Sequence, residues 1–144
     1  MAITRNTLST ASWDLIYTYL QTTNAITTNN IYSSYNSTLV KTTGYPIVII
    51  APPVISFIKL SADGSMTESQ LSFLFEIYED NAQDLKALFD NVTTKVLAGR
   101  TVFAGQDNRL MRMAIESGDY DTWVDGNKKI HRQSFSLTFR YIGP

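Results

Sequence analysis

The chain has 144 residues, of which 44% are hydrophobic and 17% are charged, and its formal net charge is -1. This length suits a single domain, residues 1–144, with a well-formed core, and the near-zero charge argues against a general nucleic-acid binder. Because the sequence has no cysteine, disulfides, thiolate nucleophiles and cysteine-ligated metal centres are excluded.

The sequence carries no signal for secretion or membrane insertion. No apolar stretch approaches the roughly 20 residues needed to cross a bilayer, and the N-terminus has no basic segment followed by an apolar run. We therefore expect no membrane partner and a location in the cytoplasm while the protein is made.

The N-terminal third contains one helix signal and a long polar stretch. Residues 22–43 are rich in Thr, Asn and Ser, which predicts a loop with one short strand near residues 31–35. A loop of this length favours a contact arm at about residues 22–45. Ahead of it, apolar residues at helical spacing predict a first helix over about residues 11–21, capped by Ser9 or Thr10: Trp13, Ile16, Tyr17 and Leu20.

The next segment predicts two strands. Residues 47–50, Ile-Val-Ile-Ile, lie between Pro46 and Pro52, which is typical of a short strand that is apolar on both faces. Such a strand must be covered on both sides. Residues 54–62 are a further strand candidate, and Asp63-Gly64 predicts the turn of a hairpin that leads into the following strand.

We expect the rest of the fold to depend on residues 71–97, an alternating strand followed by an amphipathic helix. The strand face that includes Leu74, Glu76 and Tyr78 is too apolar to meet water alone, so a helix or a neighbouring subunit should cover it. The other face carries four large apolar side chains and should face the core: Leu71, Phe73, Phe75 and Ile77.

The helix that follows has a predicted start and end. Asp80 and Gln83 fit a capping box, and Gly99 is a natural stop. This helix should pack on the neighbouring sheet face, because its apolar stripe needs a partner. The stripe recurs at spacings of three and four residues: Leu85, Leu88, Phe89, Val92 and Val96.

The C-terminal third predicts more strands. Residues 110–115 suggest a strand that residues 118–121 would end, and Asp125-Gly126-Asn127 predicts a turn. The order of helix, strands, helix and strands predicts an α+β fold, with a mostly antiparallel sheet packed against an N-terminal helix and a longer central helix. The clearest strand signal is the alternation at the end of the chain: Phe135, Leu137, Phe139 and Tyr141.

No residue set predicts an enzyme, a cofactor or a metal site. His131, the single histidine, lies among Lys128, Lys129 and Arg132, a basic cluster that is more typical of a solvated strand end than of catalysis. The three aspartates at positions 119, 121 and 125 do not meet the ligand spacing of a calcium loop.

The sequence DTWVDGNKKIHRQSFSLTFRYIG, residues 121–143, places an aromatic residue before a turn and a basic strand start before an alternating strand that ends in Arg140-Tyr141. The chain also has the helix around Trp13 and the hairpin and helix over residues 54–97. In size and element order it resembles the tail terminator proteins of long-tailed bacteriophages, also called tail completion or tail-to-head joining proteins.

This resemblance implies a structural virion protein of the tail or neck. It would cap the tail tube as a ring of six copies, end tail polymerisation and form the head-tail joining interface. Its partners would be further copies of itself, the tail tube protein and a head-tail connector or head completion protein. DNA would pass through the lumen without sequence-specific binding.

A closed ring needs two different surfaces that fit each other. We expect surplus apolar surface, including residues 47–50, to supply subunit contacts, and the loops around residues 63–68 and 99–118 to contact tube or connector. Met111, Arg112 and Met113 beside Arg109 form an adaptable, partly basic stretch of the kind found at protein interfaces, and core or edge packing is an interpretation at least as compatible with it. The individual interface candidates are Leu74, Tyr78, Asp63, Met66, Arg109, Met111 and Arg112.

Two other classes of protein fit the same sequence. Another head-tail connector or a tail tube protein would share the architecture. An α+β enzyme or ligand-binding domain is the less related alternative, and it predicts a deep pocket with convergent polar groups and a shifted pKa.

Overall fold

The computed structural model describes residues 2–23, 30–34 and 44–144, in which one helix is followed by four strands, two helices and two further strands. A single 3-10 turn, Arg5–Thr7, precedes the first helix. Within the described residues, no helix is both long and apolar enough to cross a membrane. The elements are α1 (Leu8–Thr22), β1 (Ile31–Tyr32), β2 (Ile47–Ile50), β3 (Val54–Leu60), β4 (Thr67–Glu79), α2 (Ala82–Ala98), α3 (Arg100–Phe103), β5 (Leu110–Asp125) and β6 (Lys128–Gly143).

The strands form one six-stranded sheet in the order β1-β2-β4-β6-β5, with β3 also paired to β4. β1 and β2 are parallel, and every other pair is antiparallel. β6 pairs with the whole length of β4, from Thr67 to Glu79, and β2 and β3 share the opposite side of β4. The predicted α+β fold with a mostly antiparallel sheet and two packed helices is confirmed.

One face of the sheet holds the main core. The four alternating apolar side chains of β4 are fully buried there, as predicted, and α1 and α2 cover them. Phe75 stacks on Phe135 of β6 at 4.5 Å between ring centroids, and Phe89 of α2 meets Phe135 edge-on at 5.6 Å. α1 is tied to β2 by Trp13, whose indole Nε1 donates a hydrogen bond to the Ile50 carbonyl. The apolar face of the sheet and the apolar faces of the two helices thus pack against each other and form the main core.

The opposite face of the sheet has a smaller apolar cluster at one end. Ile47, Ile49, Tyr78 and Ile130 are buried in it, and Tyr32, Tyr45 and Trp123 pack against them. Neighbouring side chains of the same chain therefore cover Tyr78, for which the sequence predicted a helix or a neighbouring subunit, whereas Leu74 of the same face stays 38% exposed. β2 is buried on both faces, as predicted, but the surplus surface expected at residues 47–50 is absent because these residues are enclosed within the chain.

The predicted helix starts are shifted. α1 begins at Leu8 with Thr7 at its N-cap, so Ser9 and Thr10 lie inside the helix. α2 is capped by Asn81, whose Oδ1 accepts hydrogen bonds from the amides of Gln83 and Asp84, and the Asp80 prediction was wrong by one residue. Both acidic and amide side chains can cap a helix, and here the extended backbone at Asn81 aims its oxygen at the free amides.

The predicted end of a strand near residues 118–121 was wrong, because β5 continues to Asp125. The register with β6 shifts between Ser117 and Tyr120, so a β-bulge absorbs the irregular residues. The Asp119 amide donates to Ser134 Oγ, and a Cβ at Gly118 would lie 2.8 Å from the Ser134 carbonyl oxygen. Gly118 thus permits a close approach of two strands where the sequence suggested a turn.

The predicted strand near residues 31–35 is partly described. Ile31–Tyr32 form β1, which pairs with β2, and Tyr35 lies outside the described residues. Most of the arm predicted at residues 22–45 also lies outside the described ranges, so it stays a prediction.

Gly99 ends α2 as predicted, and α3 follows it at once. Its φ of -77° is an ordinary value, so the backbone does not require glycine. The lack of space requires glycine here, because a Cβ at this position would lie 2.7 Å from the Tyr19 ring and 2.9 Å from the Phe103 ring. Tyr19 is held there because its hydroxyl donates to the Lys95 carbonyl at 2.7 Å.

We predict that Gly99→Ala lowers the free energy of unfolding by about 1–3 kcal/mol through overpacking. A loss of stability would identify the close contact as the cause, because in a helix alanine is normally more stabilising than glycine. Urea unfolding followed by circular dichroism measures the effect. In a Tyr19→Ala background the same change should cost less, and an equal cost in both backgrounds would rule out the ring contact as the cause.

Candidate assembly interface

Five of the seven predicted interface residues lie toward one end of the sheet. The register places Thr67 beside Gly143 and Leu110 beside Tyr141, so the β3–β4 turn and the start of β5 share that end. Asp63, Met66, Arg109, Met111 and Arg112 belong to these two segments.

Asp63 has a structural task in the β3–β4 turn. Its Oδ1 accepts hydrogen bonds from Ser61 Oγ at 2.7 Å, Ser65 Oγ at 2.7 Å and the Ser65 amide at 3.0 Å. These donors, the Ser61 hydroxyl first, lower the pKa of Asp63 to about 2. Gly64 follows with a φ of +73°, which glycine adopts without strain. The turn is therefore fixed by its own side chains and presents Met66 beside it.

Arg109 and Arg112 both have left-handed backbone, with φ of 58° and 53°. Such values are costly for residues with a Cβ and often mark functional segments. Arg112 lies in a β-bulge between Met111 and Ala114, and it lines an open cleft with Gln70 and Arg140. Arg112 and Met111 are both exposed, so neither side chain is part of the core.

Leu74 and Tyr78 lie elsewhere. Leu74 is near the middle of β4 and is 38% exposed, whereas Tyr78 is 6% exposed within the second apolar cluster. Tyr78 stands twelve residues beyond Met66 along the strand, roughly 40 Å at the usual rise. As a buried residue far from the Asp63 turn, it offers no free apolar surface, contrary to the expectation from the sequence.

The most exposed apolar strand was not singled out from the sequence. In β3, Val54 is 70% exposed, Phe57 65%, Leu60 56% and Ile58 46%. Among the described residues β3 pairs with β4 alone, so its outer backbone edge is open. Long apolar edge strands are normally avoided in monomers because they pair with other chains. The run Phe57-Ile58 with a single charge at Lys59 was the available signal, but a buried strand gives the same pattern.

The opposite edge of the sheet, β5, differs in character. It carries four acids, at Glu116, Asp119, Asp121 and Asp125, against the single cation Arg112. Two β-bulges interrupt its register with β6. Charges and bulges are features that protect an edge from indiscriminate pairing. Among the described residues, the sheet therefore has an apolar outer strand, β3, and an acidic one, β5, while the two-residue strand β1 ends the sheet beside β2.

The basic cluster at the start of β6 is largely paired with acids. Arg132 contacts Glu76 and lies 3.4 Å from Asp121, and Lys128 lies 3.6 Å from Asp80. Tyr120 and His131 share a 2.7 Å hydrogen bond between the hydroxyl and Nδ1. Nearby acids thus engage most of the cations that the sequence places together, and Lys128 is still well exposed.

Glu79 is a buried acid where β4 gives way to α2. It is 7% exposed and accepts a hydrogen bond from the Asp80 amide. Burial, together with its neighbours Asp80 and Asp84, raises its pKa to about 7. No group of three or more metal-binding side chains occurs in the part of the chain that the structure describes.

Comparisons with known proteins do not identify a family for this chain. No protein-family model matches the sequence, and no curated protein is significantly similar to it.

We predict that stability falls between about pH 4.5 and pH 7 because of Glu79. Its folded pKa lies above the unfolded value, so the folded state binds the proton more tightly and loses this advantage as pH rises. The shift corresponds to at most about 3 kcal/mol. Urea unfolding across this pH range should show a smaller slope for Glu79→Gln.

Glu116→Gln, which removes an exposed acid on β5, is the matched control and should leave the slope unchanged. An identical slope for parent and Glu79→Gln would contradict the assignment.

Proposed function

We propose that the chain is the structural subunit of a ring that caps a bacteriophage tail tube, ends its polymerisation and joins tail to head. The observation that carries the proposal is the pair of unlike open edges on one sheet, apolar β3 and acidic β5. A cyclic ring of identical subunits requires two different, mutually complementary surfaces on every copy. The resemblance of the element order to that of tail terminator proteins is the reason for proposing a phage tail as the assembly.

The grouping of the loops supports a second contact surface. The turn around Asp63 and the segment leading into β5 lie at the same end of the sheet. In the proposed ring this end meets the tail tube or the head-tail connector, while the strand edges meet neighbouring copies. This surface adjoins β3, because the turn follows that strand directly, and it lies at the opposite end of β5 from residues 120–125.

The formal net charge of -1 agrees with a passive relation to DNA. A strongly basic lumen would hold the phosphate backbone and slow its passage. In the proposed assembly the DNA passes through without sequence-specific binding.

The first test counts copies of the chain in purified virus particles from the source culture by quantitative mass spectrometry. We expect about six copies per particle, the number in one ring. On the order of a hundred copies or more would instead indicate a tube protein, the alternative with open-ended assembly. Abundance in the lysate with none in particles would contradict a virion role and favour the enzyme or ligand-binding alternative.

The second test examines the loop surface. Arg112→Glu should reduce the joining of tails to heads, because it reverses an exposed charge in the segment proposed to meet a partner. Lys86→Glu reverses an exposed charge on α2 and is the matched control. Electron microscopy of lysates gives the fraction of joined particles and the tail length, and normal values for Arg112→Glu would remove the loop from the proposed interface.

A further inference from the structure

We propose that β3 of one copy adds as a strand to residues 120–125 of β5 in the next copy, so that two sheets become one. The inference deepens the proposed ring and rests on it for the number of copies. It specifies which surfaces pair, and it names the partner as a second copy of this chain.

The apolar side of the contact is β3. Phe57 and Leu60 are among its exposed side chains, and its outer backbone amides and carbonyls face away from β4. An added strand would satisfy these backbone groups and cover the apolar side chains together. The register between β3 and β4 shifts at Ile58, which leaves Val54 to Phe57 as a regular run.

The acidic side of the contact is the last part of β5. Its two bulges fall before Tyr120, and the register with β6 is unbroken from Tyr120 opposite Gln133 to Asp125 opposite Lys128. This is the longest regular stretch of the outer edge, and its six residues are enough to pair with the regular run Val54 to Phe57 of β3. Tyr120 and Val124 are 55% and 70% exposed and provide apolar contacts for β3.

The charges of the two edges are complementary. β3 contains Lys59 and no acid, and Arg5 lines the same cleft as the exposed residues of β3. Residues 120–125 contain Asp121 and Asp125 and no base, although Arg132 lies 3.4 Å from Asp121 and Lys128 stands opposite Asp125. On the outer strands themselves, pairing β5 with β5 would place acid beside acid, whereas pairing β3 with β5 brings Lys59 toward the carboxylates. Complementary charges therefore favour a heterologous contact, the type that can close into a ring.

The mixing experiment uses one charge variant on each edge. Phe57→Asp places an acid on β3 against the acidic edge, and Val124→Lys places a base on β5 against the basic edge. Each should weaken self-association of the full chain about tenfold or more, measured by sedimentation velocity. Leu97→Asp and Leu97→Lys change an apolar side chain of α2 that is 56% exposed, and they should associate like the parent.

Mixing the two edge variants separates the possible geometries. Each retains one intact edge, so the mixture should associate although neither variant does so alone. Heterodimers form through the two intact edges, and the new acid on β3 and the new base on β5 can pair to extend them. If Val124→Lys alone formed stable dimers while the mixture gave no new species, β3 would be pairing with itself and the inference would be overturned. Circular dichroism of each variant shows that a loss of association is not a loss of folding.

Cross-linking tests the pairing directly, because the chain has no cysteine of its own. Ser56→Cys and Asp121→Cys place one thiol on each edge, both on the sheet face away from the helices, and oxidised glutathione supplies the oxidant. We expect disulfide-linked dimers when the two variants are mixed and little product from either alone. Dimers from Ser56→Cys alone would indicate β3 paired with itself.

The outcomes for this inference and for the proposed function are distinguishable. Six copies in particles without the mixed cross-link would retain the ring and overturn the strand pairing. The mixed cross-link without any copies in particles would retain the pairing and overturn the tail function. A chain that stays monomeric at every concentration, with no cross-link, overturns the strand pairing.

Discussion

The pairing of β4 on both of its sides is the constraint on which the fold depends. β6 covers one side from Thr67 to Glu79, while β2 and β3 divide the other. Because strand side chains alternate between faces, fixing the register of β4 also fixes which residues of β2 and β6 enter the core. The helices can then pack on one apolar face. A slip of one residue would turn this entire row toward solvent.

Sequence reasoning succeeded where one local pattern had one physical meaning. The alternation in β4 and β6 and the apolar run of β2 predicted their strands, since no other regular structure buries those residues together. It failed where tertiary pairing overrode a local signal. Gly118 reads as a turn, but pairing with β6 keeps the chain extended. Tyr78 reads as surplus surface, but side chains from distant strands bury it, and no local pattern contains that information.

The candidate interface was predictable in part. The loops predicted at residues 63–68 and 99–118 combine turn residues with methionine and arginine. The first contains the β3–β4 turn, whereas much of the second lies in α3 and in β5. β3 was missed as a surface because a run of large apolar residues is equally typical of a buried strand. Only the sheet order shows that β3 lies on an edge, with β4 as its partner in the described structure. Knowledge of which strands lie at the edges is thus what sequence reasoning lacked.

The unlike edges of the sheet give the molecule a polarity with consequences for solubility. A row of copies joined edge to edge would always end in one apolar strand and one acidic strand, however many copies it held. Each open row would therefore keep one exposed apolar β3 strand at its end, and adding a subunit would cover that strand but expose the β3 strand of the new subunit. Closure alone removes both ends at once. In the proposed ring, the same strand that makes the free subunit prone to aggregate becomes harmless at the moment when assembly is complete.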